Sequence, residues 1–165
     1  MRKHRYSLWL VVVVILLGIT TCKPKEGEMP FETIEQGDYS EGYDSLKPQM
    51  VFVISQQQVD LLEGLISQEA LEKLAKLDFQ QSFAIAVFRG RKPSGGYTTI
   101  IERVARQGDK IVVYAQFWEP SPYYEVQQEA TSPYHLIRVQ RDGYVSLETM
   151  LVLQSPLITP TPPSR

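Results

Sequence analysis

His135 is the side chain whose type comes closest to acid–base chemistry, because it is the only histidine after residue 22. As a general base it would need a nucleophile, Ser94 or Ser132, and an orienting acid, Glu119 or Glu125. No nucleophile elbow or other catalytic motif surrounds these residues. A strand histidine hydrogen-bonded to a backbone group is the commoner arrangement. We therefore predict that the chain is not an enzyme, and keep a hydrolase using His135 as an alternative.

The charged residues give no metal or cofactor pattern. One histidine and the single cysteine, Cys22, cannot build a ligand set by spacing. The acids that precede residue 45 lack the order of a calcium loop and indicate a solvated face; they are Glu26, Glu28, Glu32, Glu35, Asp38, Glu41 and Asp44. We expect no metal and no cofactor.

The charge balance argues against a nucleic-acid partner. Three of the seventeen basic side chains, Arg2, Lys3 and Arg5, lie in the first 21 residues, where there is no acid. The remaining chain carries fourteen basic and nineteen acidic side chains, a net charge of −5. Such a domain is repelled by phosphate backbones.

Residues 1–22, MRKHRYSLWLVVVVILLGITTC, have the pattern of an export signal: a basic start, an apolar run and small polar residues. The last four are similar to a bacterial lipobox, in which Cys22 would be lipidated, although Thr21 replaces the usual Gly or Ala. Without cleavage, the 14-residue, mostly apolar run 6–19 would be a marginal membrane helix of about 21 Å. A released protein is the third possibility. The first two place the domain at the cell membrane, on its extracytoplasmic side.

Glycine and proline, which determine the backbone path of turns, are concentrated in one short loop. The apolar strand 83–88 enters a turn with Gly90, Pro93, Gly95 and Gly96, and a second strand begins at Tyr97. This predicts a rigid hairpin tip. Glycines let another chain approach closely, and a stiff loop loses little entropy on binding. The alternative is that the glycines only satisfy turn dihedrals and Tyr97 joins the core.

Aromatic residues are expected near this tip, at one end of the sheet. They are Trp118, Tyr123, Tyr124 and Tyr134. Such side chains anchor protein interfaces, and ordinary packing is the alternative for each. We name the candidate partner-binding residues as Pro93, Ser94, Gly95, Gly96, Tyr97, Pro133 and Tyr134.

The hydrophobic pattern predicts an α+β fold with a twisted antiparallel sheet of about six to seven strands, packed by one helical segment. Ser55 and Gln58 form a capping-box pattern, and Ser67 restarts the helix. Tyr97, Thr99 and Ile101 share one face of their strand, but Val104 falls on the opposite face. This change predicts a bulge near Glu102 and Arg103. The expected strands are 31–35, 50–54, 83–88, 97–104, 110–118, 134–139 and 144–153, with 124–130 as a further candidate. Turns at 108–109 and 141–143 are expected to close hairpins.

Four segments follow from this pattern. Residues 1–22 are a signal peptide with a lipobox or an N-terminal membrane anchor, and 23–30 are a tether. Residues 31–153 form the α+β domain. Residues 154–165, with four prolines after Ser155, are expected to be a disordered tail.

Residues 78–139 resemble the PrcB C-terminal domain family. The resemblance is carried by GRKPSGGY at 90–97, GDKIVVYAQFWEP at 108–120 and TSPYHLIRV at 131–139. Ser94 stands where the family's turn has Thr. More weakly, 31–42 and 51–65 look like the leading part of the same proteins. The resemblance implies an exported, often lipid-anchored accessory that associates with or stabilises a secreted protease.

A second, local resemblance concerns two loops. The 93–97 segment and Ser132-Pro133-Tyr134 are similar to loops by which chagasin-type inhibitors plug papain-like proteases. The preferred function is therefore a non-enzymatic, membrane-anchored accessory or inhibitor of an exported protease, which contacts its partner through the 93–97 loop. The alternative is a small-ligand carrier with a pocket between helix and sheet.

Overall fold

The computed structural model describes residues 27–38, 40, 42–123, 125–141 and 148–159. Within these ranges the chain forms nine strands, one 3-10 segment and one α-helix. They are β1 (Gly27–Glu28), β2 (Phe31–Gly37), β3 (Gln49–Val53), the 3-10 segment Gln56–Leu62, α1 (Gln68–Ala75), β4 (Ser82–Phe88), β5 (Thr98–Gln107), β6 (Lys110–Glu119), β7 (Tyr134–Gln140), β8 (Glu148–Leu153) and β9 (Leu157–Ile158).

The strands form two sheets. Sheet I has the order β2-β7-β4-β3, and all its pairs are antiparallel. Sheet II has the order β1-β5-β6-β8, and β9 also pairs with β6. In sheet II, β8 and β9 run parallel to β6, whereas the β1–β5 and β5–β6 pairs are antiparallel. The α+β class is consistent with this architecture, but the expected single antiparallel sheet is wrong.

Strand β4 explains why sheet I lies in the middle of the molecule. All seven of its residues are buried. Phe83, Ile85 and Val87 pack into a cluster shared with β5 and β6 of sheet II. Ala84 and Phe88 face the other way, into a cluster with the 3-10 segment and α1. A continuous apolar run is typical of a strand covered on both faces. Here sheet II covers one face, and the helical layer, formed by the 3-10 segment and α1, covers the other.

Of the two predicted helix caps, Ser67 is confirmed and Ser55 is wrong. The Ser67 Oγ accepts from the Ala70 backbone N–H at 3.1 Å, so the predicted restart at Ser67 is confirmed. Ser55 makes no side-chain cap, and the Gln58 Oε1 accepts from the Ile54 N–H at 2.8 Å instead. The segment after Ser55 is a 3-10 helix rather than the start of an α-helix.

Two predicted hairpins are wrong. Strand β4 pairs with β3 on one side and with β7 on the other. Residues 89–97 therefore cross to β5 in sheet II and do not close a hairpin. Strand β7 likewise pairs with β2 and β4, whereas β8 lies beside β6. Residues 142–147, which include the rest of the 141–143 turn, lie outside the described residues. Hydrophobic parity predicts the faces of a strand but not its neighbours.

Three local predictions have clear outcomes. The hairpin of β5 and β6 is confirmed, with Gly108 at a φ of +58° in the two-residue turn. The bulge is confirmed as a register shift between Ile101 and Arg103. The candidate strand 124–130 is wrong over its described residues, 125–130, which form no strand.

The ordered domain extends beyond the expected boundaries at both ends. Gly27 pairs with Arg106 of β5, and Met29 is buried, so the last part of the expected tether belongs to the fold. At the other end, Leu157 and Ile158 pair with the end of β6, so the expected tail is ordered through this point. Residues 1–26, including Cys22, and 160–165 lie outside the described residues. None of the helices in the described ranges is long and apolar enough to span a membrane.

Candidate protein-binding site

The loop between β4 and β5 is held along most of its length by residues 127–131. Lys92 and Thr131 form an isolated antiparallel bridge, with N–H to O distances of 2.8 and 3.0 Å. The Gly95 N–H donates to the Gln127 carbonyl at 2.9 Å, and the Thr131 hydroxyl donates to the Ser94 carbonyl at 2.7 Å. The loop is therefore a bonded, preformed structure.

Two of its glycines are required by the fold, and one is not. Gly96 has a φ of +82°, and a Cβ there would lie 2.9 Å from side-chain atoms of Pro120 and Val126. Gly90 has a φ of +96°, and a Cβ would lie 2.8 Å from the backbone of Leu46. At Gly95 a Cβ would meet nothing closer than 3.6 Å. The turn-dihedral interpretation thus holds for Gly90 and Gly96, while Gly95 has room for a side chain.

Arg89, for which no sequence motif indicated a role, fixes the start of the loop to sheet II. Its side chain is only 2% exposed. The guanidinium donates to the carbonyls of Trp118 and Thr98 and to the Glu119 carboxylate, the last at 3.0 Å. Burial lowers the pKa of Arg89 from its ordinary value, and the Glu119 carboxylate opposes this shift. The charge is retained, because an arginine pKa starts far above neutral pH.

Two cations flank the Tyr97 ring. The Arg89 guanidinium lies 4.9 Å from the ring centroid, and the Lys92 ammonium lies 5.7 Å from it. The same guanidinium is also 4.9 Å from the Phe117 ring. Partial burial, followed by the nearby Arg89 charge, lowers the pKa of Lys92. Tyr97 is half-buried, so it belongs neither wholly to the core nor wholly to the surface.

The structure separates the predicted contact residues into two groups. Pro93 and Gly96 are exposed, and Gly95 and Tyr97 are half-buried, whereas Ser94 is nearly covered. These residues lie together at the end of the sheets.

Pro133 and Tyr134 are buried and cannot serve as surface contacts, which corrects that part of the prediction. The Tyr134 ring packs 5.5 Å from the Phe88 ring, and its hydroxyl donates to the Glu35 carboxylate. Burial, then this hydrogen bond, raises the pKa of Tyr134 far above its usual value. Because both faces of β7 are covered, its sequence lacks the alternation of apolar and polar residues that would have distinguished a buried Tyr134 from an exposed one.

Exposed apolar side chains surround the loop. Four of the seven large apolar side chains that are exposed in the described residues lie at this end of the sheets, and they are Leu46 (75% exposed), Tyr123 (83%), Leu157 (44%) and Ile158 (61%). Leu157 and Ile158 pair with Trp118 and Glu119 at the end of β6. We call this surface the loop pole and define it as Leu46, Pro93, Gly95, Gly96, Tyr97, Trp118, Tyr123, Leu157 and Ile158.

The expected gathering of aromatics at this end is confirmed for one residue by strand register, since Trp118 pairs with Thr98 next to Tyr97. Tyr123 follows β6 and is exposed, whereas Tyr124 lies outside the described residues. The contributions of Leu157 and Ile158 were missed because prolines in this segment indicated a disordered tail. Their alternation is too short to carry a strand signal.

His135 has a structural place. The Ile101 backbone N–H donates to its Nδ1 at 2.7 Å, so the proton of the neutral ring is on Nε2, 2.9 Å from the Thr33 hydroxyl. Burial lowers its pKa to about 4. The expected backbone hydrogen bond is confirmed. Both ring nitrogens are engaged, and the hydroxyls of Ser94 and Ser132 donate to the carbonyls of Gly95 and Tyr43, so the conceivable triad is not assembled.

The space between α1 and sheet I is filled where an apolar ligand would lie. Leu62 and Leu74 are fully buried there against Ala84 and Leu136. A groove of about 490 Å³ opens at the margin of this layer, and its lining is largely polar: Glu32, Thr33, Ile34, Lys73, Lys76, Leu77, Asp78, Gln81, Ser82, Arg138 and Gln140. The expected pocket for a small ligand therefore has no apolar counterpart between helix and sheet in the described residues.

These features define an α+β domain of two stacked sheets with a rigid, apolar loop pole. Residues 83–140, from β4 through β7, match the model of the PrcB C-terminal family. The match confirms the resemblance carried by the turn and strand motifs. No curated protein and no solved structure matches the chain, so the similarity to chagasin-type loops has no support from these comparisons.

Proposed function

We propose that the chain is a non-enzymatic binding module on the extracytoplasmic side of the cell membrane, an accessory or inhibitory subunit that contacts an exported protease through the loop pole. The observation that carries this proposal is the concentration of exposed apolar side chains around a hydrogen-bonded loop. The match of residues 83–140 to the PrcB C-terminal family supports a protease as the partner, because the resemblance implies association with a protease complex.

The physical character of the loop pole suits protein recognition. Its backbone path is fixed by the Lys92–Thr131 bridge and the Gly95–Gln127 hydrogen bond, so little conformational entropy is lost on binding. Tyr123 offers a large amphipathic ring, and aromatic anchors of this kind dominate interface energetics.

The position of the loop pole fits an anchor at the N-terminus. Gly27 pairs with Arg106 near the end of β5, whereas the loop pole lies beside the first residue of β5, Thr98. The ten residues of β5 span about 30 Å at roughly 3.3 Å per residue. With Cys22 lipidated, or residues 6–19 retained as a helix, the loop pole would face away from the membrane and remain accessible to an exported partner.

The test is recovery of the native protein from detergent-solubilised membranes, with quantification of the proteins that accompany it. The pole variant combines Tyr123→Ser and Ile158→Ser. The matched control is Leu61→Ser, since Leu61 is 57% exposed but lies on the 3-10 segment. We expect a protease with the native and control proteins and its loss with the pole variant. Equal recovery with all three, or no protease with any, would contradict the proposal.

A further inference from the structure

The last strand of sheet II is an open edge that runs into the loop pole. Strands β8 and β9 lie one after the other along the same neighbour, β6, and both are parallel to it. Strand β8 lies beside residues 110–115, and β9 lies beside Trp118 and Glu119. No described residue pairs with the other side of β8.

The hydrogen bond at the end of β8 shows which of its backbone groups face outward. The Gln154 N–H donates to the Ala115 carbonyl of β6 at 3.1 Å. Because successive residues of a strand direct their polar groups to opposite sides, Thr149, Leu151 and Leu153 direct theirs away from β6. Each of these three residues offers one N–H and one C=O along the edge.

This edge has few of the features that usually keep strand edges apart. They are Glu148, the first residue of β8, and Pro156, which lies between β8 and β9. Residues 149–158 contain no charged side chain, and Met150 and Leu153 are exposed apolar residues on β8. By contrast, edge strand β2 carries Glu32 and Glu35 and a register shift. The remaining long edge strand, β3, is also uncharged, but it exposes no large apolar side chain.

From these observations we infer that the β8 edge receives an extended segment of the partner protein, which adds to sheet II as a strand. The edge is continuous with the loop pole through Leu157 and Ile158, so one partner would contact both surfaces. This inference rests on the proposed function in taking a protein partner as the occupant. A second copy of the chain is disfavoured because residues 22–165 carry a net charge of −5 and copies repel each other.

The test compares Leu153→Pro with Leu153→Ala in the full chain held in detergent. Proline removes an outward N–H and is tolerated at a strand edge, whereas alanine removes the same exposed side chain and keeps the donor. The probe is a phage-displayed library of random 12-residue peptides, selected on the native protein. We expect the enriched peptides to bind Leu153→Pro about tenfold more weakly or worse, and Leu153→Ala with only a small change. They should also protect the N–H groups of Thr149 and Leu153 from hydrogen exchange.

Equal binding of the peptides to Leu153→Pro, or failure to enrich any peptide, would overturn the inference. A native dimer that Leu153→Pro dissociates would also overturn it, since the occupant would be a second copy. An unchanged unfolding midpoint for Leu153→Pro excludes a general loss of structure. No protease is present in this assay, and Tyr123→Ser should bind the peptides normally, so the outcome is distinguishable from failure of the proposed function.

Discussion

The Arg89 guanidinium lies 4.9 Å from the centroid of the Tyr97 ring, although Arg89 follows a strand of sheet I and Tyr97 precedes a strand of sheet II. The contact closes the loop that crosses between the sheets. Since Arg89 also donates to two carbonyls and to Glu119, one side chain connects the end of β4 with the ends of β5 and β6. We therefore regard Arg89 as the residue that anchors the start of the loop to sheet II, in addition to the Lys92–Thr131 bridge that holds the middle of the loop.

Replacement of Arg89 by alanine should destabilise the domain strongly. The change removes three hydrogen bonds and the packing between two rings, and we expect a loss of about 2–4 kcal/mol in the free energy of unfolding. Urea denaturation measures it. Arg91→Ala is the control, because its pair with Asp44 is exposed and such pairs contribute about 1 kcal/mol or less. Similar losses for the two variants would show that Arg89 is not the anchor.

The glycines at 95 and 96 should respond in opposite ways to alanine. Gly96→Ala places a Cβ 2.9 Å from Pro120 and Val126 at a φ of +82°, which should cost about 1–3 kcal/mol. Gly95→Ala meets only ordinary contacts and should change stability by less than about 0.5 kcal/mol. Unfolding midpoints in urea distinguish the two. A Gly96→Ala variant as stable as the native protein would refute the close approach.

His135 should make the domain less stable as the pH falls. Its pKa is about 4 in the folded protein, against an ordinary value of 6.5, so the unfolded chain binds more protons between these values. The corresponding stability is fully present above about pH 6.5 and is lost progressively as the pH falls towards 4, by about 3 kcal/mol in total. His135→Asn should remove this component, as seen in the difference between the two pH–stability curves. Parallel curves would contradict the buried, neutral ring.

Tyr134 should affect stability and not partner binding. Tyr134→Phe leaves the Glu35 carboxylate and the Ser67 N–H without their shared hydroxyl, and we expect a loss of about 1–2 kcal/mol in unfolding free energy. Recovery of the partner under native conditions should equal that of the native protein. A lost partner with unchanged stability would restore Tyr134 to the contact surface.

Much of the local structure could be predicted from particular residues. The apolar run at 83–88 predicted a buried strand, Ser67 predicted a helix start, and the parity change near Glu102 predicted the bulge. Each of these signals is carried by residues close in sequence. These features could be predicted because strand periodicity and helix capping depend on residues a few positions away in the sequence.

The arrangement of the strands and most of the loop pole could not be predicted in this way. Both faces of β4 and β7 are apolar, so the alternation of apolar and polar residues did not show which strands are neighbours. In the structure β4 pairs with β7, whereas β5 and β8 belong to the other sheet. Arginine is usually exposed, and nothing near Arg89 in the sequence indicated its burial. These features depend on contacts between distant segments, such as Arg89 with Glu119 across 30 positions.

Site-specific photocrosslinking in intact cells tests whether the loop pole is the surface that contacts the protease. A photoreactive side chain replaces Tyr123 at the loop pole in one strain and Leu61 on the 3-10 segment in the other, at two exposed positions on separate surfaces. We expect position 123 to crosslink to an exported protease and position 61 not to crosslink to that protease. No protease crosslink from position 123, or the same crosslink from both positions, would contradict the loop pole as the contact surface.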